Sequence, residues 1–421
     1  MREMVQEAHG FIDQLSSHLA QQQQRQIQSQ LDSAILTNIE LTSRIDDLAS
    51  LMTALSAGMS GHAQKTQDNA SKDFANLIQT KTLRLQLGVS DDDDALKKTA
   101  SSFEDVPINL DVGLLSRNNE SGTPPAREIA TFGSDKVYVE WKTIKDRRQI
   151  RKLKPRIQAL CRLLRAPKSP GFHALRCRGL VEIVGKDIFG MVYDFPEGAT
   201  GGSGQYRLRD TFGFAPFRPS ASSRRRLAFE LSSTVLLLHT AGWVHKGIRS
   251  ANVLYFRPQL PNLPEDTDRT LEEPWLMGYE YARFDNPDMM SELQSSEPGV
   301  DIYRHPDILG GEPCSFTKNH DVYALGLVLL EIGFWCPLVK IIRGLVDVEK
   351  EPASSAFFEI QDFILGKSSV GRDHFVLQQL RYSMGDVYAA VVRRCLEGEG
   401  FENSVLPFKE AVVHVLADFQ M

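Results

Sequence analysis

Hydrophobic side chains in the first part of the chain recur at every third or fourth position. Two such runs lie within residues 1–58, namely Val5, Ala8, Ile12, Leu15 and Leu19, and then Leu41, Ile45, Leu48 and Met52. This is the spacing of one face of an α-helix. The pattern predicts a helical segment over 1–58, in which two helices pack as a bundle or a coiled coil.

The chain becomes more polar after Gly58. Residues 59–127 contain the acidic run Asp91–Asp94 and a turn-forming stretch, Gly122–Pro125. One short apolar piece, Leu83–Leu87, interrupts this composition. Polar, glycine- and proline-containing segments of this kind are typical of connections between domains. We therefore predict a flexible linker over 59–127.

From residue 128 onward the hydrophobic pattern changes between the period of strands and that of helices. Strand-like runs occur at Val137–Trp141, Val181–Val184 and Phe189–Tyr193. Helix-like runs follow at Ile157–Leu164 and Leu227–His239, and the C-terminal part is mainly helical. Because the strands come first and the helices later, the pattern predicts an α+β fold over 128–421.

Composition and charge exclude several classes of protein. The net charge of −6 provides no general attraction to nucleic acid. The five cysteines are scattered without metal-site or paired spacing, which indicates reduced thiols and a cytoplasmic location. The first residues lack the apolar run of a signal peptide. The longest apolar stretch, Val322–Leu338, contains Glu331, and we predict a buried helix there instead of a membrane span.

The segment His245–Leu254 has the spacing of a protein-kinase catalytic loop. In kinases this loop reads His-Arg-Asp, four further residues, and then Asn. The Asp accepts the proton of the attacking hydroxyl, and the Asn holds a metal ion. His245 and Asn252 stand at the matching positions, but Gly247 occupies the Asp position. Since glycine has no side chain to accept a proton, the catalytic base is missing.

Three further segments resemble kinase landmarks and occur in the expected order. Val139–Lys142 resembles the Val-Ala-Ile-Lys strand, whose lysine pairs with nucleotide phosphates. Met191–Phe195 resembles the hinge that contacts adenine, and Tyr303–Asp307 resembles the Ala-Pro-Glu that closes the activation segment. Asp321, at the start of a long helix, is expected to bond the backbone of the catalytic loop, which is a structural role.

A second catalytic carboxylate is also missing. Leu276–Arg283 aligns with the Asp-Phe-Gly region, with Gly278 at the Asp position and Tyr279 at the Phe position. In a kinase that Asp coordinates Mg²⁺ on the phosphates. Glu280 and Asp285 are weaker candidates for a displaced metal ligand. We expect Tyr279, like His245 in the catalytic loop, to belong to the packed core.

Nucleotide binding is doubtful for a separate reason. Glu140 stands where kinases have a small alanine over the adenine. Residues two apart share a strand face, so Glu140 can approach Lys142 and obstruct the nucleotide space; the alternative is that Glu140 faces solvent. Lys142 and Asn252 are the nucleotide-binding candidates, and Asn252 is expected mainly to stabilise its own loop.

The amino-acid sequences of these motifs resemble those of the kinase-like domains in certain filamentous-fungal proteins. Those proteins carry N-terminal HeLo (prion-inhibition and propagation) domains. The resemblance rests on Val139–Lys142, Leu238–Leu254 and Gly278–Arg283. Residues 5–52 are similar to the later helices of a HeLo domain. Missing aspartates are typical of that family. The resemblance implies a role in incompatibility or cell-death signalling, with the kinase-like domain as a switch for the helical segment.

These observations predict an α+β, two-lobed protein-kinase-like fold preceded by a helical segment and a linker. The small lobe is expected at about 128–195 and the large lobe at about 196–421. The predicted function is that of a catalytically impaired pseudokinase, a signalling switch or scaffold. The alternative is an active atypical protein kinase that uses ATP.

We expect protein partners, such as a signalling receptor or the chain's own N-terminal helices. Neither nucleic acid nor a resident cofactor is expected, and ATP, with or without Mg²⁺, is the weaker alternative. Membrane contact is not supported, because residues 1–58 carry seven acidic and three basic side chains. Helices that lie on anionic lipid instead carry a face rich in lysine and arginine.

Overall fold

The computed structural model describes residues 26, 28–59, 65–88, 107–117, 122–144, 150–168, 171–197, 199, 205–212, 218–256, 273–285, 298–309, 315–343, 358–367, 375–398 and 400–418. The predicted first helix, from Val5 to Leu19, and the acidic run Asp91–Asp94 lie outside these residues. So does most of the segment between the predicted catalytic loop and Gly278.

Three helices form the N-terminal part of the described chain. They are α1 (28–41), α2 (Ile45–Met59) and α3 (Lys65–Gly88). The run that begins at Leu41 therefore lies mainly on α2, as its spacing predicts. Several of their apolar side chains, such as Ile39, Leu48 and Ile78, are buried in the same core as the rest of the chain.

The prediction of a flexible linker over 59–127 is wrong for residues 65–88, which form helix α3. The polar composition there predicts no regular structure, but Phe74, Leu77, Ile78 and Leu85 recur at helical spacing and join the main core. Burial of this narrow stripe offsets the entropy of ordering an otherwise polar helix. The apolar piece Leu83–Leu87 is the end of that helix.

A five-stranded antiparallel sheet follows, with the strand order β1-β2-β3-β5-β4. Its strands are β1 (Leu115–Ser116), β2 (Arg127–Phe132), β3 (Asp135–Thr143), β4 (Cys177–Ile183) and β5 (Ile188–Asp194). Between β3 and β4 the chain forms α4 (Ile150–Arg165), which packs on β4. The three predicted strands and the predicted amphipathic helix are confirmed.

The remaining strands are short, and the remaining helices range from 3 to 20 residues in length. In chain order they are β6 (Gln205–Arg207), α5 (Leu208–Thr211), α6 (Ala221–Thr240), β7 (Trp243–Val244), β8 (Val253–Phe256), β9 (Trp275–Leu276), β10 (Arg283–Phe284), α7 (Pro298–Asp301), α8 (Pro306–Leu309), α9 (Lys318–Phe334), α10 (Leu338–Ile341), α11 (Ile360–Leu365), α12 (Val376–Met384), α13 (Asp386–Glu397), α14 (Leu406–Phe408), a π-helix (Lys409–His414) and α15 (Val415–Asp418). The described chain thus combines an antiparallel sheet with helices, and the predicted α+β class is confirmed.

Helix α9 is the predicted buried helix and lies at the centre of the helical region. Thr317 begins it with a capping box, and Trp335 ends it in a left-handed conformation. Its buried Glu331 accepts hydrogen bonds from the Tyr303 hydroxyl and the Leu338 backbone, each at 2.8 Å. Among the described residues, no helix combines the length and apolar character that a membrane crossing requires.

The close approach of β3 and β5 gives a test of the sheet. A Cβ on Gly190 would lie 2.7 Å from the Trp141 ring and 2.8 Å from Val181. We expect Gly190→Ala to lower the free energy of unfolding by about 2 kcal/mol, because overpacking displaces neighbouring side chains. Gly171→Ala, where no atom lies within 4 Å, is the control. Equal urea-unfolding midpoints for the two variants would contradict this prediction.

Candidate functional site

The predicted catalytic loop, the Gly278 region and strand β3 meet at one place. The backbone N–H of Met277 donates to the carbonyl of Asn252 at 2.8 Å, which joins the first two segments. The backbone N–H of Gly278 donates to the carboxylate of Glu140 on β3, at 3.0 and 3.3 Å. The structure therefore brings together the residues that the kinase-like spacing singles out.

Glu140 is buried, with only 2% of its surface exposed. Its carboxylate lies 2.9 Å from Nε of Arg127, and the Tyr193 hydroxyl donates to it at 3.3 Å. The alternative in which Glu140 faces solvent is thus wrong. The spacing along β3 predicts that Glu140 approaches Lys142, but the structure shows an ion pair between Glu140 and Arg127.

The kinase-like motifs do not include Arg127, which the structure places next to Glu140 and Asn252. It pairs directly across the hairpin with Glu140 as β2 runs antiparallel to β3. Its guanidinium also donates to the carbonyl of Ala251 at 3.1 Å and to Oδ1 of Asn252 at 2.7 Å. One side chain therefore holds the strand carboxylate and the predicted catalytic loop together.

Charge and burial act against each other in this ion pair. Burial raises the pKa of Glu140 to about 7, while the positive charge of Arg127 opposes that rise. Burial alone would lower the pKa of Arg127, but the charges of Glu140 and Glu280 raise it above its usual value. The guanidinium therefore stays charged, and its charge is what allows a carboxylate to lie inside the protein.

Asn252 fills the space next to Gly278. Its side-chain amide donates to the carbonyl of Gly247 at 2.5 Å and accepts from Arg127. Gly278 has a φ of 89°, and a Cβ there would lie 2.6 Å from Cγ of Asn252. The predicted role of Asn252 in stabilising its own loop agrees with these contacts. A carboxylate at position 278 would collide with this amide.

Asp321 anchors the predicted catalytic loop. Its carboxylate accepts hydrogen bonds from the backbone N–H groups of His245 at 2.6 Å and Lys246 at 2.9 Å. Burial alone would raise the pKa of Asp321. The hydrogen bond from His239 at 3.1 Å and the backbone hydrogen bond from His245 instead hold this pKa below its usual value. These are the backbone contacts expected of a structural carboxylate at this position.

His245 and Tyr279 pack together under the loop. Their ring centroids are 4.5 Å apart, and neither side chain is exposed. Burial lowers the pKa of His245 to about 4, so the ring is neutral. Its Nδ1 accepts from the Gly247 N–H at 3.1 Å, which places the ring hydrogen on Nε2. Both residues contribute to packing, and neither is placed to take a proton from a substrate.

Lys142 lies beside a small cavity. Its Nζ donates to the backbone oxygen of Glu280 at 2.7 Å and lies 4.6 Å from the centre of the Tyr281 ring. The cavity has a volume of about 30 Å³ and is lined in part by Arg156 and Lys246. One water molecule alone needs about 10–15 Å³ of a cavity measured in this way. This cavity is too small for a nucleotide.

The two candidates for a displaced metal ligand are placed differently. Asp285 forms an ion pair with Lys318 at 3.3 Å, which engages its carboxylate away from Gly278. Glu280 is closer, and its Oε2 is buried with no hydrogen-bond partner in the described part of the chain. The residues around Gly278 therefore do not fit an ATP–Mg²⁺ complex, since Glu280 alone among the described carboxylates beside Gly278 has an oxygen without a hydrogen-bond partner.

A separate group of possible metal ligands lies at the start of α9. The side chains of His305, Asp307 and His320 have ligand atoms within 4.8 Å of one another. However, Nδ1 of His320 already accepts the Thr317 backbone N–H at 2.9 Å as part of the capping box. A metal ion would have to displace this hydrogen bond or bind the nitrogen that carries the hydrogen, so we assign no metal here.

The ion pair between Arg127 and Glu140 predicts a pH-dependent loss of stability. In Arg127→Gln the carboxylate loses its counter-charge, so its pKa should rise above the present value of about 7. Above that pKa the folded state must hold an unpaired charge, at a cost of about 3 kcal/mol. Well below it Glu140 is protonated and this penalty disappears.

Urea unfolding of Arg127→Gln and the wild type, above and below this pKa, measures the effect. We expect the difference in unfolding free energy to be larger at the higher pH. A deficit that does not change with pH would contradict the proposed electrostatic role. Lys136→Gln, an exposed lysine on the neighbouring strand, is the control for loss of a positive charge.

A carboxylate at position 278 should destabilise the protein. Gly278→Asp adds left-handed strain and a collision with Asn252, and we expect it to cost about 3 kcal/mol. Gly133→Asp provides a matched control, because Gly133 also has a left-handed φ, 62°, but no atom within 4 Å. The control should cost about 1 kcal/mol. Thermal unfolding that gives equal losses for both variants would contradict the collision.

Comparison with known proteins identifies no family for this chain. No family model matches it, and no curated protein matches it. The functional conclusion therefore depends on the geometry of the Arg127, Glu140 and Asn252 cluster, together with the kinase-like spacing of the segments that the cluster connects.

Proposed function

We propose that this protein is a pseudokinase, a kinase-like protein without phosphoryl-transfer activity that acts as a signalling switch or scaffold. The order of the kinase-like segments supports this proposal. The absence of carboxylates at Gly247 and Gly278 removes both the base and the metal ligand that a kinase requires.

One observation carries the proposal. The guanidinium of Arg127, the carboxylate of Glu140 and the amide of Asn252 form a connected cluster beside Gly278, where the kinase-like spacing would put a metal ligand. A kinase keeps this region open for phosphates and Mg²⁺. Here protein groups satisfy one another, so the segments are held together without a ligand.

A cluster whose polar groups pair with one another is suited to a scaffold. Buried polar networks whose members are all paired fix one arrangement of the backbone, and partial disruption is costly. The cluster links β2, β3, the loop around Asn252 and the backbone of Gly278. A partner that binds any of these elements would meet a preformed surface.

The resemblance to kinase-like domains of fungal proteins with HeLo helices extends this proposal to a biological role. In that setting we propose signalling of the incompatibility or cell-death type, with protein partners. The helical segment of this chain packs on the α+β region, which supports a functional relation between the two parts.

An active atypical kinase is the second candidate function. It is favoured by Oε2 of Glu280, which is buried without a hydrogen-bond partner among the described residues. A cation would satisfy such an oxygen. Against this candidate, Lys142 already contacts the Glu280 backbone and Asp285 is paired with Lys318.

Thermal unfolding of the full chain with ATP, in the presence and absence of Mg²⁺, tests the proposal. A ligand that binds only the folded state must raise the melting temperature once its concentration exceeds its Kd. We expect no rise under either condition, because the cavity beside Lys142 is too small and the phosphate region is filled.

Two results would overturn the proposal in different ways. A rise that requires Mg²⁺ and is lost in Glu280→Gln, accompanied by phosphate transfer, would establish the atypical kinase. A rise that needs no Mg²⁺ and is lost in Lys142→Met would replace the filled cleft with a nucleotide-binding one. The exposed Lys136→Met is the matched control for the second variant.

A further inference from the structure

The N-terminal helices contact the helical region through a second buried charge cluster, far from Glu140 in the sequence. Glu40, near the end of α1, has only 6% of its side chain exposed. Its carboxylate lies 2.7 Å from Nζ of Lys318, at the first position of α9. The two residues are separated by 278 positions along the chain.

The carboxylate of Glu40 has further donors on the same surface. The backbone N–H of Val405 donates to both of its oxygens, at 3.1 and 2.9 Å. The hydroxyl of Ser404 donates at 3.2 Å. Lys318, Ser404 and Val405 thus form a carboxylate receptor, composed of one cation, one backbone N–H and one hydroxyl. Such a set of donors to one carboxylate is much stronger than an exposed ion pair.

A second polar contact lies two turns earlier on α1. Nζ of Lys409 donates to the hydroxyl of Ser33 at 2.7 Å and to the carbonyl of Ser29 at 3.4 Å. Positions 29, 33 and 40 lie on one face of a helix with 3.6 residues per turn. Leu36, 5% exposed, lies on that face between the two polar contacts. The contact face of α1 therefore has polar contacts at both ends and a buried leucine between them.

Helix α3 joins the same cluster and extends it toward β10. Nζ of Lys81 donates to the backbone carbonyl of Glu40 at 3.1 Å. The guanidinium of Arg84 lies 5.5 Å from the centre of the Phe284 ring. Lys318 also pairs with Asp285, which follows β10 directly. The Glu40 cluster thus connects α1 and α3 to the segment that follows Gly278.

We propose that α1 is an internal ligand of the carboxylate receptor, and that the negative charge of Glu40 determines whether α1, α2 and α3 stay docked on the helical region. This inference needs only the contacts between these helices and the receptor. It holds whether or not the protein is a pseudokinase.

The physical reason is that docking brings several cations together. Lys81, Arg84 and Lys318 repel one another in the docked state, and burial together with the charges of Arg84 and Lys318 lowers the pKa of Lys81 to about 8. The carboxylates of Glu40 and Asp285 are what oppose this repulsion. Removal of the Glu40 charge leaves Lys318 buried with less counter-charge and leaves the donors of Ser404 and Val405 without an acceptor.

Hydrogen exchange of the full chain, read by mass spectrometry on peptides, tests the proposal. We expect Glu40→Lys to increase exchange in α1 and α3 by about a hundredfold, because a buried pair has lost one partner. Exchange in β3 and β5 should not change. Glu40→Gln removes the negative charge but keeps an oxygen that can accept from Val405 and Ser404, and it should give a smaller increase in the same helices.

Asp46→Lys is the matched control for charge reversal, since its side chain on α2 is 88% exposed. It should leave the exchange of α1 and α3 unchanged. Three results would overturn the proposal: unchanged exchange of α1 and α3 in Glu40→Lys, loss of protection throughout the chain, or no increase at all in Glu40→Gln. The second of these would show that the helices are an obligate part of the core.

The failure of this inference is distinguishable from failure of the proposed function. Exchange protection of α1 and α3 reports only on docking, whereas the ATP-dependent melting experiment reports only on the site around Gly278. Neither Glu40 nor Lys318 contacts the cavity beside Lys142. A change in one measurement therefore does not alter the interpretation of the other.

Discussion

A buried carboxylate must be given a counter-charge or a set of hydrogen-bond donors, and the site described here is organised by that requirement at Glu140. Arg127 supplies the charge, and the backbone of Gly278 and the hydroxyl of Tyr193 supply the donors. The same guanidinium then holds Asn252. The sheet and the predicted catalytic loop are therefore fixed relative to each other by the solvation of a single side chain.

Much of this arrangement could be predicted from local pattern. Alternation and helical spacing identify β3, β5, α4 and α9, because each buries one face or is buried entirely. The motif spacing also identifies which loops meet. The motifs do not identify Arg127, because its partner Glu140 lies on another strand. Counting outward from a two-residue turn at Gly133 and Ser134 would have placed it opposite Glu140.

The extent of α3 could not be predicted for a different reason. Its mean composition is polar, and its apolar side chains form only a narrow stripe. A stripe of this kind is stable only when another surface covers it, and sequence alone does not identify that surface. The same limit applies to Glu40, whose role depends on Lys318 and Val405, both distant in the chain.

The close fit between Gly278 and Asn252 also bears on how this sequence can change. A carboxylate at position 278 requires space that the Asn252 amide occupies, and Arg127 in turn holds that amide. Substitutions at these three positions are therefore epistatic, and the effect of one depends on which residues stand at the other two. A sequence with a carboxylate at position 278 is separated from this one by less stable single-substitution intermediates, which makes such a residue difficult to gain by stepwise mutation.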